Sequence, residues 1–377
     1  MSAAANQAVR ELDAFGQSVW LDAISRSMIR TGRLQSLIDL GLSGMTSNPT
    51  IFDQAISSGA DYDAEIRAMS RAGASAFEIY DELSVSDVRE AADVFRPVYD
   101  RTRKRDGYVS LEIDPRLADD TSRTISEGLR LVRKVGRPNV MFKVPATEAG
   151  FRAVEELTAA GVNVNITLIF STEQFHRTAL AYLAGLRRLV DSGRDPARVR
   201  SVASVFVSRI DTAVDSFLDG IAARETDPPR KERVLSLKGR AAVANTHLCY
   251  ADFRRLFAAD EFRELADRGA PVQRPLWGST STKNPAYSDI KYVEELIAPD
   301  TVNTMPEKTF FAFLDHGRVA EALTADASPS ATVLAEVAGW GVAIDDVCAK
   351  LLEDGVRAFV RSLEELLQTI EKKAGSL

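Results

Sequence analysis

A lysine, Lys143, stands in the middle of the apolar run Val-Met-Phe-Lys-Val-Pro, residues 140–145. Burying an ammonium in such a run is expensive, so the placement needs a reason. Desolvation lowers the pKa of a lysine and leaves a free amine able to attack a carbonyl. Two carboxylates occupy comparable places. Asp22 lies in Val-Trp-Leu-Asp-Ala, and Glu112 lies in Tyr-Val-Ser-Leu-Glu-Ile. An amine flanked by carboxylates can form a covalent imine and pass protons. The plainer alternative for Lys143 and Glu112 is a buried ion pair with no chemistry.

Further polar residues recur at every second position of otherwise apolar runs. Ser110 and Glu112 alternate with Leu111 and Ile113; Asn163, Asn165 and Thr167 alternate with Val164 and Ile166. A period of two places the polar set on one face of a strand and the apolar set on the other. Arg209 follows Ser204-Val205-Phe206-Val207-Ser208 and is expected at a strand end, where a fixed guanidinium suits phosphate. The run Gly278 to Lys283 carries Ser279, Thr280, Ser281 and Thr282, a set of hydroxyls and a cation suited to an anion. Such a run is also what a plain turn looks like.

These residues need elements to hold them. Eight short strands are predicted, at Val19–Ala23, Gly44–Asn48, Tyr108–Ile113, Val140–Val144, Val162–Ile169, Val202–Ile210, Pro275–Thr280 and Thr301–Met305. Amphipathic helical patterns alternate with them. One is Ser122–Val135 with Gly136 as its stop, and another opens at Ser171 with Gln174 completing a capping box. Eight strands with intervening helices predict an α/β fold, a (β/α)8 TIM barrel. Extra helices fill the second and sixth connections, and a helical C-terminal tail follows Asp326. In a barrel the apolar set packs against the helices and the polar set lines the interior. Its C-terminal strand ends carry the site. The stretch from Asp227 to Arg233, rich in proline and charge, reads as an exposed loop. Residues 1–377 read as a single barrel domain.

Composition narrows the function. The formal net charge is −7, against a general nucleic-acid or acidic-membrane surface. Two cysteines, Cys249 and Cys348, lie far apart, which argues against a disulfide scaffold or a thiolate metal site. The first residues lack a secretion signal, and no apolar stretch reaches the ~20 residues that cross a bilayer. A cytoplasmic protein is therefore expected. The three histidines, His176, His247 and His316, read as surface or helix-face residues, so a His-based triad or zinc site is poorly supported.

The blocks carrying these residues resemble the transaldolase family, in its long bacterial-type form, over almost the whole chain. They run from Asp22 and Thr46-Ser47-Asn48-Pro49, through Ser110 to Asp114 and Phe142 to Pro145, to Asn165 through Ser171, Ser204 through Arg209 and Thr301 through Pro306. The resemblance implies a class I aldolase-like barrel acting on sugar phosphates. Lys143 would be the Schiff-base lysine and Asp22 the general acid/base. Glu112 and Thr167 would hold a water for proton relay. Asn48 and Asn165 would orient the dihydroxyacetone hydroxyls, with Thr46, Ser110, Ser204 and Phe206 around the pocket. Arg209 would bind phosphate, with Lys283 in the loop where relatives carry a second arginine and Ser279 or Thr280 supplying a hydroxyl. Val205 and Ser208 replace a proline and a glycine of many relatives. No cofactor and no metal is implied, since the lysine supplies the electron sink. The partners implied are sugar phosphates, with a monomer or a homodimer equally open. One rival is a fructose-6-phosphate aldolase; such relatives carry glutamine and tyrosine where Glu112 and Phe206 stand. The other is a non-catalytic sugar-phosphate-binding barrel.

Overall fold

In the computed structural model, which describes residues 7–376, each of the eight apolar runs becomes a parallel strand. They are β1 (Gln17–Asp22), β2 (Gly44–Thr46), β3 (Val109–Glu112), β4 (Val140–Pro145), β5 (Val164–Ile169), β6 (Ser201–Phe206), β7 (Gln273–Gly278) and β8 (Thr301–Met305). They close in sequence order, with β8 pairing back onto β1. Helices alternate with the strands around the outside, making a (β/α)8 barrel.

The period-two pattern sorts the side chains as expected. Val19, Leu21, Leu111, Phe142, Val144, Val164 and Ile166 join the large core under the helices. Trp20, Met141, Val202, Leu276 and Val302 form a separate apolar layer inside the sheet. Trp20 fills the space that a side chain at residue 44 would need: a Cβ on Gly44 would lie 2.5 Å from the indole. Below this layer, Asp106 accepts from Ser18 Oγ, Trp20 Nε1 and the buried guanidinium of Arg274. Above it lies the polar layer with Lys143.

Local signals set the helix ends. Asp120 caps the helix Thr121–Val135, and Gly136 ends it in the left-handed region at φ 61. The Ser171 and Gln174 capping box starts the helix Thr172–Asp191. The second and sixth connections carry extra helices, and the tail forms helices Ser328–Gly339 and Ile344–Ser376. The last has 33 residues. It packs against helices Pro49–Ser57 and Ala76–Arg101, with Thr369 bonded to Asp53 and Lys373 to Asp63. Among the described residues no helix is long and apolar enough to cross a membrane.

Four expectations need correction. β6 ends at Phe206, not Ile210: Val207 turns to φ −92 and ψ −70, and Ser208 begins the helix Ser208–Arg224. Arg209 therefore sits in the first turn of a helix, not at a strand end. The segment after Asp227 is the helix Pro228–Leu235, because proline is well placed in a first helical turn, where its missing N–H costs nothing. Asn163 precedes β5 and bonds the carbonyls of Pro138 and Val140 at the opposite end of the barrel. His247 is buried, not a surface residue, and bonds Ser330 Oγ and the Thr324 carbonyl.

The ion pair beneath the apolar layer yields a stability prediction. Asp106 is fully buried, and among the described residues it is the one carboxylate paired with Arg274. Asp106→Ala is expected to destabilise the fold by about 3–5 kcal/mol, because it strands a buried guanidinium. Urea denaturation checks this; a loss below about 1 kcal/mol would show that other groups carry that charge.

Candidate active site

Lys143 comes from β4 and points into the barrel. Its side chain is 6% exposed, and Nζ donates to the Ser47 carbonyl at 2.9 Å. In-register pairing puts Glu112 of β3 beside Lys143 and Asn165 of β5 on its other side. Glu112 Oε2 lies 3.7 Å from Nζ, a through-space attraction beyond hydrogen-bond length. Burial pushes the Glu112 carboxyl up to about 7; Lys143 opposes that rise, and Asp22 adds to it. Glu112 Oε2 and Thr167 Oγ1 are both buried without a hydrogen-bond partner among the described residues.

Asp22, at the end of β1, accepts from Thr46 Oγ1 at 2.7 Å. That hydroxyl in turn lies 2.8 Å from Thr304 Oγ1. With the Thr46 proton committed to the carboxylate, Thr304 must be the donor of the second bond. The relay Thr304 to Thr46 to Asp22 crosses β8, β2 and β1 and fixes the carboxylate.

A cavity of about 440 Å³ opens above these groups at the C-terminal end of the strands. Asp22, Thr46, Lys143, Thr167 and Ser204 form its floor, and Asn48 borders it. Asn48 caps the helix Pro49–Ser57 through Oδ1, so its amide N–H groups are left for the cavity. Ser110 and Asn165 lie behind the floor: Asn165 donates to Ser110 Oγ at 3.0 Å and accepts from Ser204 Oγ at 2.6 Å. Glu112 also lies behind the lining, against Lys143.

The rim is cationic. Arg209, Ser279 and Lys283 line it together with Phe206. Arg209 makes no ion pair among the described residues; its guanidinium lies over the Phe206 ring at 5.4 Å, and burial holds its pKa below the usual arginine value. It stands in the first turn of a helix, where free N–H groups and the helix dipole favour an anion. Ser279 adopts φ 53, its carbonyl accepts from Ser208 N, and its hydroxyl meets Ser208 Oγ at 3.0 Å. Lys283 is exposed and donates to Ser281 Oγ at 2.7 Å.

Two of the lining residues that sequence reasoning did not assign to the site are instructive. Thr304 stands at the inward position two beyond Val302, so the strand period could have found it. Phe359 comes from the C-terminal helix and lies 6.5 Å from the Phe206 ring, which also meets Phe170 edge-on at 5.6 Å. Nothing local marks that tail residue as a wall of the cavity.

The family model described as transaldolase/fructose-6-phosphate aldolase matches residues 19–370. A protein of Saccharopolyspora erythraea named transaldolase is 46% identical over 370 residues, covering 98% of both chains. A transaldolase of Mycobacterium tuberculosis is 45% identical over 368 residues, 97% of this chain and 96% of that one. Transaldolase 2 of a Nostoc species is 42% identical over 367 residues, 96% of each. The chain belongs to the transaldolase/fructose-6-phosphate aldolase family.

Proposed function

We propose that the protein is a transaldolase, moving a dihydroxyacetone unit from a ketose phosphate to an aldose phosphate through an imine on Lys143. The observation that carries this reading is a buried amine at the cavity floor, flanked by an unpartnered carboxylate oxygen and facing a second carboxylate held by a threonine relay.

The Lys143 amine adds to the C2 carbonyl of fructose 6-phosphate or sedoheptulose 7-phosphate, giving a carbinolamine. A water held between Glu112 and Thr167 carries protons while the C2 hydroxyl leaves as water. The protonated imine is the electron sink. Asp22 takes the proton of the C4 hydroxyl, the C3–C4 bond breaks, and its electron pair moves into the imine to form an enamine. The aldose phosphate leaves. An acceptor such as erythrose 4-phosphate or glyceraldehyde 3-phosphate presents its aldehyde carbon to the enamine carbon. Asp22 returns the proton to the new alkoxide, and water releases the ketose. Asn48 and Ser204 meet the dihydroxyacetone hydroxyls, with Asn165 and Ser110 holding Ser204 from behind. Arg209, Ser279 and Lys283 hold the phosphate.

The rival is release of free dihydroxyacetone by an aldolase. Glu112 and Phe206 favour transfer. Phe206 brings a ring and no hydroxyl to the cavity, so it offers no proton to the enamine carbon. Free dihydroxyacetone accumulating from fructose 6-phosphate without an acceptor would favour the aldolase.

Three outcomes test the reading. Borohydride added with fructose 6-phosphate is expected to leave a reduced three-carbon adduct on Lys143. Peptide mapping that finds it on another residue would refute the assignment. Arg209→Ala is expected to cut kcat/KM for phosphorylated donors by roughly 100-fold or more, while sparing unphosphorylated ones; equal losses on both would remove the phosphate role. The third is a pH profile. Glu112 accepts a proton only when ionised, so kcat/KM for fructose 6-phosphate should fall as pH drops through about 7. Glu112→Gln should lose that limb and slow turnover by ~10²–10⁴-fold. A variant that keeps the same acidic limb would exclude Glu112 as its source.

A further inference from the structure

Two carboxylates one turn apart on the phosphate-side helix are used for something other than chemistry. Asp211 and Asp215 follow Arg209 on the helix Ser208–Arg224, and both are buried. Asp211 Oδ2 accepts from the Tyr292 hydroxyl at 2.7 Å, and Oδ1 from the Ala242 N–H at 2.7 Å. Asp215 Oδ2 accepts from the Tyr287 hydroxyl at 2.6 Å, and Oδ1 from the Gly239 N–H at 2.8 Å. Both tyrosines belong to the connection after β7, which carries Ser279 and Lys283.

The two ties differ in what they hold. Tyr292 is buried in the short helix Lys291–Glu294, and its backbone carbonyl accepts from Asn303 in β8. It anchors the far end of the connection. Ser279 anchors the near end through Ser208, and Thr280 bonds the Thr304 carbonyl. Between them the side-chain bonds of Thr282, Lys283 and Asn284 stay within the segment. Among the described residues, two ties from that stretch reach another element: the exposed pair of Asp289 with His316, and Tyr287 to Asp215. Tyr287 also packs against Gly239, where a Cβ would lie 2.7 Å from its ring. Burial and Asp215 both push the Tyr287 phenol up, so it remains a proton donor. Lys283 stands four residues before it, on the rim shared with Arg209.

We propose that Tyr287 and Asp215 form a latch that holds the connection after β7 against the Arg209 helix, keeping Lys283 at the cavity rim, and that Tyr287 is thereby a positioning residue for phosphorylated substrates. The inference rests on the phosphate role of Lys283 proposed above. An exposed lysine carries several free rotors and reaches a ligand at a small entropic cost only if its backbone is already placed. The latch does that placing. It touches neither the reacting carbons nor Lys143, so chemistry on the dihydroxyacetone end is indifferent to it.

Tyr287→Phe removes one hydroxyl and keeps the ring. It is expected to raise KM for fructose 6-phosphate about fivefold, the effect of one lost buried hydrogen bond, with kcat changed less than about twofold. Rates with an unphosphorylated dihydroxyacetone donor should not move. Lys283→Ala, measured in parallel, should raise the same KM, and the double variant should be no worse than Lys283→Ala alone. If Lys283→Ala raises KM and Tyr287→Phe does not, the latch is refuted and the phosphate role of Lys283 stands. If Lys283→Ala has no effect, both fall. Equal losses on phosphorylated and unphosphorylated donors in Tyr287→Phe would point to general loosening and overturn the latch. Asp215→Asn leaves one acceptor oxygen for the two donors, the Tyr287 hydroxyl and the Gly239 N–H, and should raise the same KM at least as much as Tyr287→Phe; an unchanged KM would count against the latch.

Discussion

An amine held inside a closed sheet sets the terms for everything around Lys143. Lys143 is buried at the floor of the cavity, so a charge placed there must be offset by the groups beside it. The Ser47 carbonyl takes one Nζ hydrogen bond and Glu112 supplies an opposing charge at 3.7 Å. That separation is a compromise. A tight, fully bonded pair would bury the lysine quietly but leave it inert. Here the Glu112 carboxyl lies beyond hydrogen-bond length from Nζ, and burial pushes it up to about 7. The same low dielectric that makes the placement costly lets Glu112 exchange protons near physiological pH.

The interior is layered so that this cost is confined to one level. At the N-terminal end the Asp106–Arg274 pair is closed off by Ser18 and Trp20. An apolar layer built on Trp20, Met141 and Leu276 separates it from the site. Above that, hydroxyls and amides are chained across the barrel interior between strands, Ser204 to Asn165 to Ser110 and Thr304 to Thr46 to Asp22. Each chain fixes a rotamer at the cavity by a bond whose other end lies on a different strand. The site is thus preorganised by the sheet itself, and the connections above add the rim cations Arg209 and Lys283.

Much of this was legible along the chain. The eight strands, the inward polar stripe and the placement of Lys143, Glu112 and Asp22 follow from a period of two in short apolar runs, because closure of a parallel sheet converts alternation into inside and outside. The misreadings share a cause. Val205, Val207 and Ile210 look like continued strand, yet β6 stops at Phe206, because Val207 turns out of the extended region and the helix Ser208–Arg224 begins there. The prolines after Asp227 suggested a breaker, although in a first helical turn they are helix starters. His247 lies on a helix face, as expected, but the tail covers that face.

The residue pattern by itself determined the barrel, the facing of each strand and the presence of an amine and two carboxylates at one end of it, since these depend on alternation within five or six residues. The tertiary structure decided which distant groups complete the site. Phe359 reaches the cavity because a 33-residue helix crosses the barrel mouth, and Thr304 supports Asp22 because β8 closes onto β1. Tyr287 meets Asp215 across 72 residues of chain. Contacts of that separation leave no local periodicity, so packing and sheet closure alone specify them.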